Sequence, residues 1–67
     1  MIINGEPTHN SAELAATTLI ELLKARGLSE RRVAVEVNGV LVKRDAFAQT
    51  QLTPNDVIEI IHYVGGG

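Results

Sequence analysis

The sequence predicts an α+β fold: a mixed four- to five-stranded sheet with one helix packed across it. Three observations carry that expectation. Two Asn-Gly dipeptides, Asn4-Gly5 and Asn38-Gly39, each follow a β-branched run. They mark tight hairpins, because both residue types accept the positive φ of a two-residue turn. Between them lies one stretch of helical period, and after them comes a long β-rich run over residues 57–64. With 67 residues and no cysteine, the chain is a single domain near the lower limit for folding without disulfides or metal, so its core must be efficient.

The first strand is the short run Met1-Ile2-Ile3, closed by Asn4-Gly5. The return strand is expected from residue 6 to about residue 11. It is polar and carries Pro7, whose missing N–H suits a short edge strand protected from pairing with other chains. His9 lies there without a partner of metal-binding type and reads as a surface residue. At Thr18 the period changes. Thr18 followed by Glu21 fits a capping box, in which hydroxyl and carboxylate satisfy the first free N–H groups of a helix. Leu19, Leu22 and Leu23 then share one face. Arg26 and Gly27 end the helix after about nine residues, with Leu28 folding back on the last turn. So short a helix is unstable alone in water, so its leucine stripe must lie on a sheet.

Residues 29–32 form a polar loop, and Arg31-Arg32 beside Glu30 reads as solvated rather than as an anion site. Val33, Val35 and Val37 alternate with Ala34 and Glu36, which puts the valines on one face of a strand. Asn38-Gly39 turns the chain, and residues 40–43 return. Residues 44–51 lack alternation and are rich in Ala and Gln, so a helical or 3₁₀ turn is expected to plug the end of the sheet with Phe47. Leu52 closes the core on the same side. Thr53-Pro54-Asn55-Asp56 is a turn: Pro sets φ, Asn tolerates left-handed backbone, and Asp bonds nearby N–H groups. In the final strand, if Ile58 and Ile60 face the helix, Glu59 and Ile61 lie on the opposite face. An exposed Ile61 beside Tyr63 is then an apolar patch of the kind that marks a partner surface. The first and last strands can lie side by side and parallel in the centre of the sheet, because the helix and second hairpin supply the crossover. This is a β-grasp arrangement.

Composition excludes several functions. The absence of cysteine rules out a disulfide framework, a thiolate zinc site and a thiol nucleophile. A net charge of −2 with one Phe and one Tyr argues against nucleic acid as a partner. No apolar run approaches the roughly 18 residues that span a membrane, and the N-terminus lacks a basic region followed by an apolar one. A soluble, cytoplasmic protein is expected. Glu59 and His62, the titratable pair of the last strand, read as surface groups rather than as acid and base, so no catalytic constellation is expected. Neither is a bound metal.

The chain divides into a domain over residues 1–64 and a Gly tail over residues 65–67, expected to be flexible. An arbitrary chain ends in three glycines roughly three times in ten thousand. Gly65-Gly66-Gly67 can be a flexible end. Alternatively, a partner enzyme threads the terminus through a channel where any Cβ would clash and only Gly takes the φ and ψ imposed.

In this order the chain resembles the ThiS-type sulfur carriers of thiamin biosynthesis, a ubiquitin-like β-grasp family of about this length. The matching stretches are Met1-Ile2-Ile3-Asn4-Gly5-Glu6, the helix start Thr18-Leu19-Ile20-Glu21-Leu22-Leu23, Val35-Glu36-Val37-Asn38-Gly39, and Asp56-Val57-Ile58-Glu59-Ile60 with Val64-Gly65-Gly66-Gly67. Asn55 stands where such proteins commonly have Gly, and residues 6–17 match no family pattern. The resemblance implies a carrier acting as cosubstrate, not an enzyme, and no cofactor bound by this chain. A ThiF-type partner would use ATP to convert the Gly67 carboxylate into a glycyl adenylate. A persulfide from a sulfur donor such as a cysteine desulfurase would displace AMP and leave a thiocarboxylate, 1-thioglycine, at Gly67. Thiazole synthase of the ThiG type would receive the sulfur for the thiazole ring. Gly65, Gly66 and Gly67 would enter the partners' active sites, and the face carrying Ile61 and Tyr63 would be recognised. Three alternatives stay open: a related carrier for molybdopterin or cysteine synthesis, a protein modifier that forms isopeptide bonds to lysines, and a non-covalent β-grasp binding module with an inert tail.

Overall fold

The computed structural model describes residues 1–63; Val64 and the expected tail at residues 65–67 lie outside them. Five strands form one sheet in the order β2-β1-β5-β3-β4: β1 (Ile2–Ile3), β2 (Glu6–Pro7), β3 (Val33–Val37), β4 (Val40–Val42) and β5 (Val57–His62). β5 is central. It runs parallel to β1, with Ile2 opposite Val57, and antiparallel to β3, with Val35 opposite Ile60.

The two Asn-Gly turns are built as expected, with φ of 53° at both Asn4 and Asn38 and 83° and 82° at Gly5 and Gly39. Their side chains have a second role. Asn4 Oδ1 accepts from Ile60 N at 2.7 Å, continuing the ladder where β1 has ended, and Asn38 Oδ1 accepts from Val57 N at 2.9 Å. Each hairpin is thereby tied to the central strand by the residue that makes its turn possible.

Helix α2 (Leu19–Ala25) crosses the inner face of the sheet. Thr18 caps it through its hydroxyl, which accepts from Glu21 N at 3.3 Å. The Glu21 carboxylate reaches one residue further out than a capping box requires, to Thr17 N at 2.8 Å and Thr17 Oγ1 at 3.0 Å. At the other end Gly27, at φ 73°, donates to Lys24 O, and Leu28 N donates to Leu23 O at 2.9 Å. This pair of hydrogen bonds closes the helix, and Leu28 packs on the core. Leu19, Leu22, Leu23, Ile3, Val33, Val35, Ile58, Ile60 and Phe47 make the buried centre. Phe47 comes from the expected 3₁₀ turn, Arg44–Gln49.

Residues 6–11 correct the sequence reading. Only Glu6 and Pro7 pair as a strand, and a second helix, α1 (Ser11–Leu14), follows where a longer strand and then no defined element were expected. Asn10 causes the change: its Oδ1 accepts from Ala12 N at 2.9 Å and Glu13 N at 3.1 Å, satisfying the first free donors of a helical turn. The turn buries Glu13, whose Oε1 accepts from Thr8 Oγ1 at 2.8 Å and from Arg26 Nη1 at 3.0 Å. A second, short helix therefore packs beside α2, and an ion pair joins the two, while of these two helices α2 alone supplies residues to the buried core. Residues 30–32, expected as a loop, form a 3₁₀ turn capped by Ser29, with Arg31 and Arg32 exposed.

Candidate functional site

Strand β5 organises the site because it is the strand that leads toward residues 65–67. Its alternation sends Ile58 and Ile60 into the core and Val57, Glu59 and Ile61 to the outer face. The ladder to β3 continues past the strand, with Tyr63 N donating to Arg32 O at 2.8 Å. Tyr63 thus shares the outer face with Ile61. The two are 49% and 54% exposed and form part of the apolar surface that the described residues leave in water. Ala34 lies directly opposite Ile61. Gly65, Gly66 and Gly67, the residues expected to enter partner active sites, lie outside the described residues.

Glu59 and His62 are an odd and an even position of one strand and project from opposite faces, so they cannot act on one substrate as acid and base. His9 is exposed. Among the described residues no group of three or more His, Asp or Glu side chains could hold a metal, and no helix is long and apolar enough to cross a membrane. Two clefts, one between Ile20, Leu28 and Arg31 and one between Met1, Leu14 and Pro54, lie away from Ile61 and Tyr63.

The strongest polar cluster is structural and stands at the other end of β5. The buried carboxylate of Asp56 accepts from Asn38 Nδ2 at 3.0 Å, Thr53 N at 2.8 Å and Thr53 Oγ1 at 3.0 Å. The bond from Asn38 leads in holding its pKa below the ordinary 3.8, with both Thr53 bonds adding to it against the opposing effect of burial. Nearby, the Met1 ammonium donates to Pro54 O at 2.7 Å. Glu21 is likewise held below its ordinary 4.5, first by the Thr17 N–H and then by the Thr17 hydroxyl. The turn chemistry of Asp56 is legible from its neighbours, but its bond to Asn38 joins residues 18 apart and carries no sequence signal.

Known proteins resemble the chain from end to end. A family model described as the ThiS family matches residues 1–67. A protein named thiazole synthase in Magnetococcus marinus is 43% identical over 65 residues, covering 97% of this chain but 19% of that protein. One of the same name in Paramagnetospirillum magneticum is 37% identical over 67 residues, and the chain covers 20% of it. The chain thus spans about a fifth of these two relatives. A sulfur carrier protein ThiS of Bacillus subtilis is 38% identical over 50 residues, which cover 75% of this chain and 76% of that one. The crystal structure of a thiamine biosynthesis protein (ThiS) from Geobacter metallireducens superposes with a TM-score of 0.77 at 32% identity, covering 98% of this chain and 96% of that one.

Proposed function

The chain belongs to the ThiS family, and from that premise we propose that it is a sulfur carrier for the thiazole ring of thiamin, loaded at the carboxyl of Gly67. The observation that carries this reading is a family match that runs through Gly65-Gly66-Gly67. A terminal carboxylate, with a pKa of about 3.5, is ionised and a poor electrophile at neutral pH. A ThiF-type enzyme uses ATP to make the glycyl adenylate and releases pyrophosphate. The terminal sulfur of a persulfide, formed by a cysteine desulfurase, attacks the acyl carbon and expels AMP. A second thiol then attacks the outer sulfur of the acyl disulfide. One disulfide leaves, and the thiocarboxylate remains on Gly67.

The domain's own contribution is presentation, as a cosubstrate rather than a catalyst. Gly67 lies four residue steps beyond Tyr63, at most about 14 Å of extended chain, so an active site that takes the terminus lies close to the face carrying Ile61 and Tyr63. That face is what the adenylating enzyme and thiazole synthase recognise, with Gly65 and Gly66 passing a channel too narrow for side chains. Two relatives named thiazole synthase contain a segment like this whole chain, which supports thiazole synthase as the acceptor.

Intact mass after incubation with ATP, a sulfur source and the adenylating enzyme tests the reading. A gain equal to replacing one oxygen by sulfur, mapped to the Gly67 peptide, is expected. An unchanged mass with a demonstrably active enzyme refutes it, and a fully functional Gly66-Gly67 deletion would assign the chain to the binding modules instead.

A further inference from the structure

The outer face of the sheet carries more than Ile61 and Tyr63. Register places Leu41, Glu36 and Glu59 in one row across β4, β3 and β5, with Ala34 and Ile61 in the next. Leu41 is 65% exposed, and exposed Val57 and Ile2 continue the apolar surface across β5 and β1. The two carboxylates interrupt this surface. Directly opposed residues of an antiparallel pair have Cβ atoms about 4.5–5.5 Å apart, where like charges destabilise the sheet. Among the described residues neither carboxylate is in an ion pair, the one such pair being Arg26 with Glu13 on the helix side. Beyond Glu59 stands the Asn4 turn, whose carboxamide oxygen is already taken by Ile60 N. Lys43, the base nearest in register, follows the end of β4 one row on.

Two opposed carboxylates inside an apolar face repel each other, and a cation placed between them relieves that repulsion. Building on the carrier reading, we propose that this face docks a partner protein surface that is apolar opposite Ile61, Tyr63 and Leu41 and inserts one arginine between Glu36 and Glu59. Arginine suits the site better than lysine, because its planar fork of N–H donors can bridge two carboxylates while an ammonium is a single point charge. A second copy of this chain fits less well: it would bring its own Glu36 and Glu59, and the chain's net charge is −2.

The test uses the full chain with the adenylating enzyme and thiazole synthase, binding being measured by calorimetry at low and high salt. Glu36→Gln with Glu59→Gln is expected to weaken at least one complex by about tenfold at low salt and to flatten its salt dependence. The same double variant is expected to raise the melting midpoint of the free chain, since the repulsion is gone; a merely structural role for the carboxylates would lower it. Unchanged affinity, or a midpoint that does not rise, overturns the proposal. So does a wild-type dimer in sedimentation that Ile61→Ala dissociates, which would give the face to a second copy. Thiocarboxylate formation in the same samples separates the two levels. A loaded wild type with unchanged variant affinity refutes the arginine receptor alone, whereas an unloaded wild type refutes the carrier reading and this proposal with it.

Discussion

Replacing Asp56 by Ala tests whether one carboxylate holds the turn of the second hairpin to the turn that leads into β5. The substitution removes the acceptor of three bonds, from Asn38 Nδ2, Thr53 N and Thr53 Oγ1. Bonds to a charged group contribute about 1.5–3 kcal/mol each, but three that share one group are not additive. The loss should therefore be about 2–4 kcal/mol at neutral pH. A domain of this size has about 3–10 kcal/mol in total, so the variant folds with a melting midpoint lower by on the order of 10–25 °C. The sign of the pH dependence follows from the depressed pKa. The folded-state value lies below the ordinary 3.8, so the contribution is complete above about pH 5 and is lost as pH falls through the unfolded value and then the folded one. Thermal unfolding followed by circular dichroism should show the gap between wild type and Asp56→Ala narrowing in acid. Asp56→Asn is the control: its carbonyl can keep Asn38 and the Thr53 hydroxyl while its amide meets the Thr53 N–H, for a loss of about 1–2 kcal/mol. A gap equally wide at neutral pH and well below pH 4, or a loss under about 0.5 kcal/mol, would refute the reasoning.

Phe47 is 1% exposed and is the largest fully buried side chain; Phe47→Ala should cost about 3–5 kcal/mol, enough to leave much of the chain unfolded in a urea titration at room temperature. Phe47→Leu should retain a cooperative transition. Arg26→Ala strands the largely buried Glu13 carboxylate with only the Thr8 hydroxyl and should cost about 1–3 kcal/mol. The double variant with Glu13→Ala should cost less than the two single losses summed, which chemical denaturation can measure. Asn4→Ala places a Cβ-bearing residue without a local hydrogen bond at φ 53° and removes the acceptor of Ile60 N. Hydrogen exchange at the Ile60 amide should accelerate at least tenfold more than at Ile58.

What was legible in the sequence is what depends on neighbours. Asn38-Gly39 carries its positive φ wherever it stands, and Thr18, Glu21, Gly27 and Leu28 announce a helix's two ends within eleven residues. Alternation at Val33, Val35, Ile58 and Ile60 then gave the inner face without any knowledge of what covers it. Residues 6–17 resisted for the converse reason. Glu13 is a polar residue in a stretch without period, and it is buried because Arg26, 13 positions later, supplies its counter-ion. Asn10 followed by Ser11 was the available signal, a cap without an apolar run behind it. Pro7 and the Asn4-Gly5 hairpin point to a longer return strand, and the side chain of Asn10 ends it by capping a helical turn instead.

The same distinction explains why the proposed function of so small a chain is readable at all. An enzyme's site is a convergence of side chains from distant positions, and a sequence conceals it as this one conceals the Asp56–Asn38 bond. A carrier loaded on its own backbone carboxyl needs no convergence. It needs residues without side chains at the reacting end and a domain rigid enough to present them. The second requirement appears in how β5 is held: parallel to β1, antiparallel to β3, and bonded at Val57 and Ile60 by the two turn asparagines. Both supports act on the strand that precedes the glycines, so local fraying there is opposed by bonds from both hairpins. If presentation is what the domain contributes, Asn4→Ala and Asn38→Ala should slow thiocarboxylate formation together with their loss of β5 protection. Loading that stays at the wild-type rate while exchange at Ile60 and Val57 accelerates would detach the carrier's chemistry from the rigidity of its central strand.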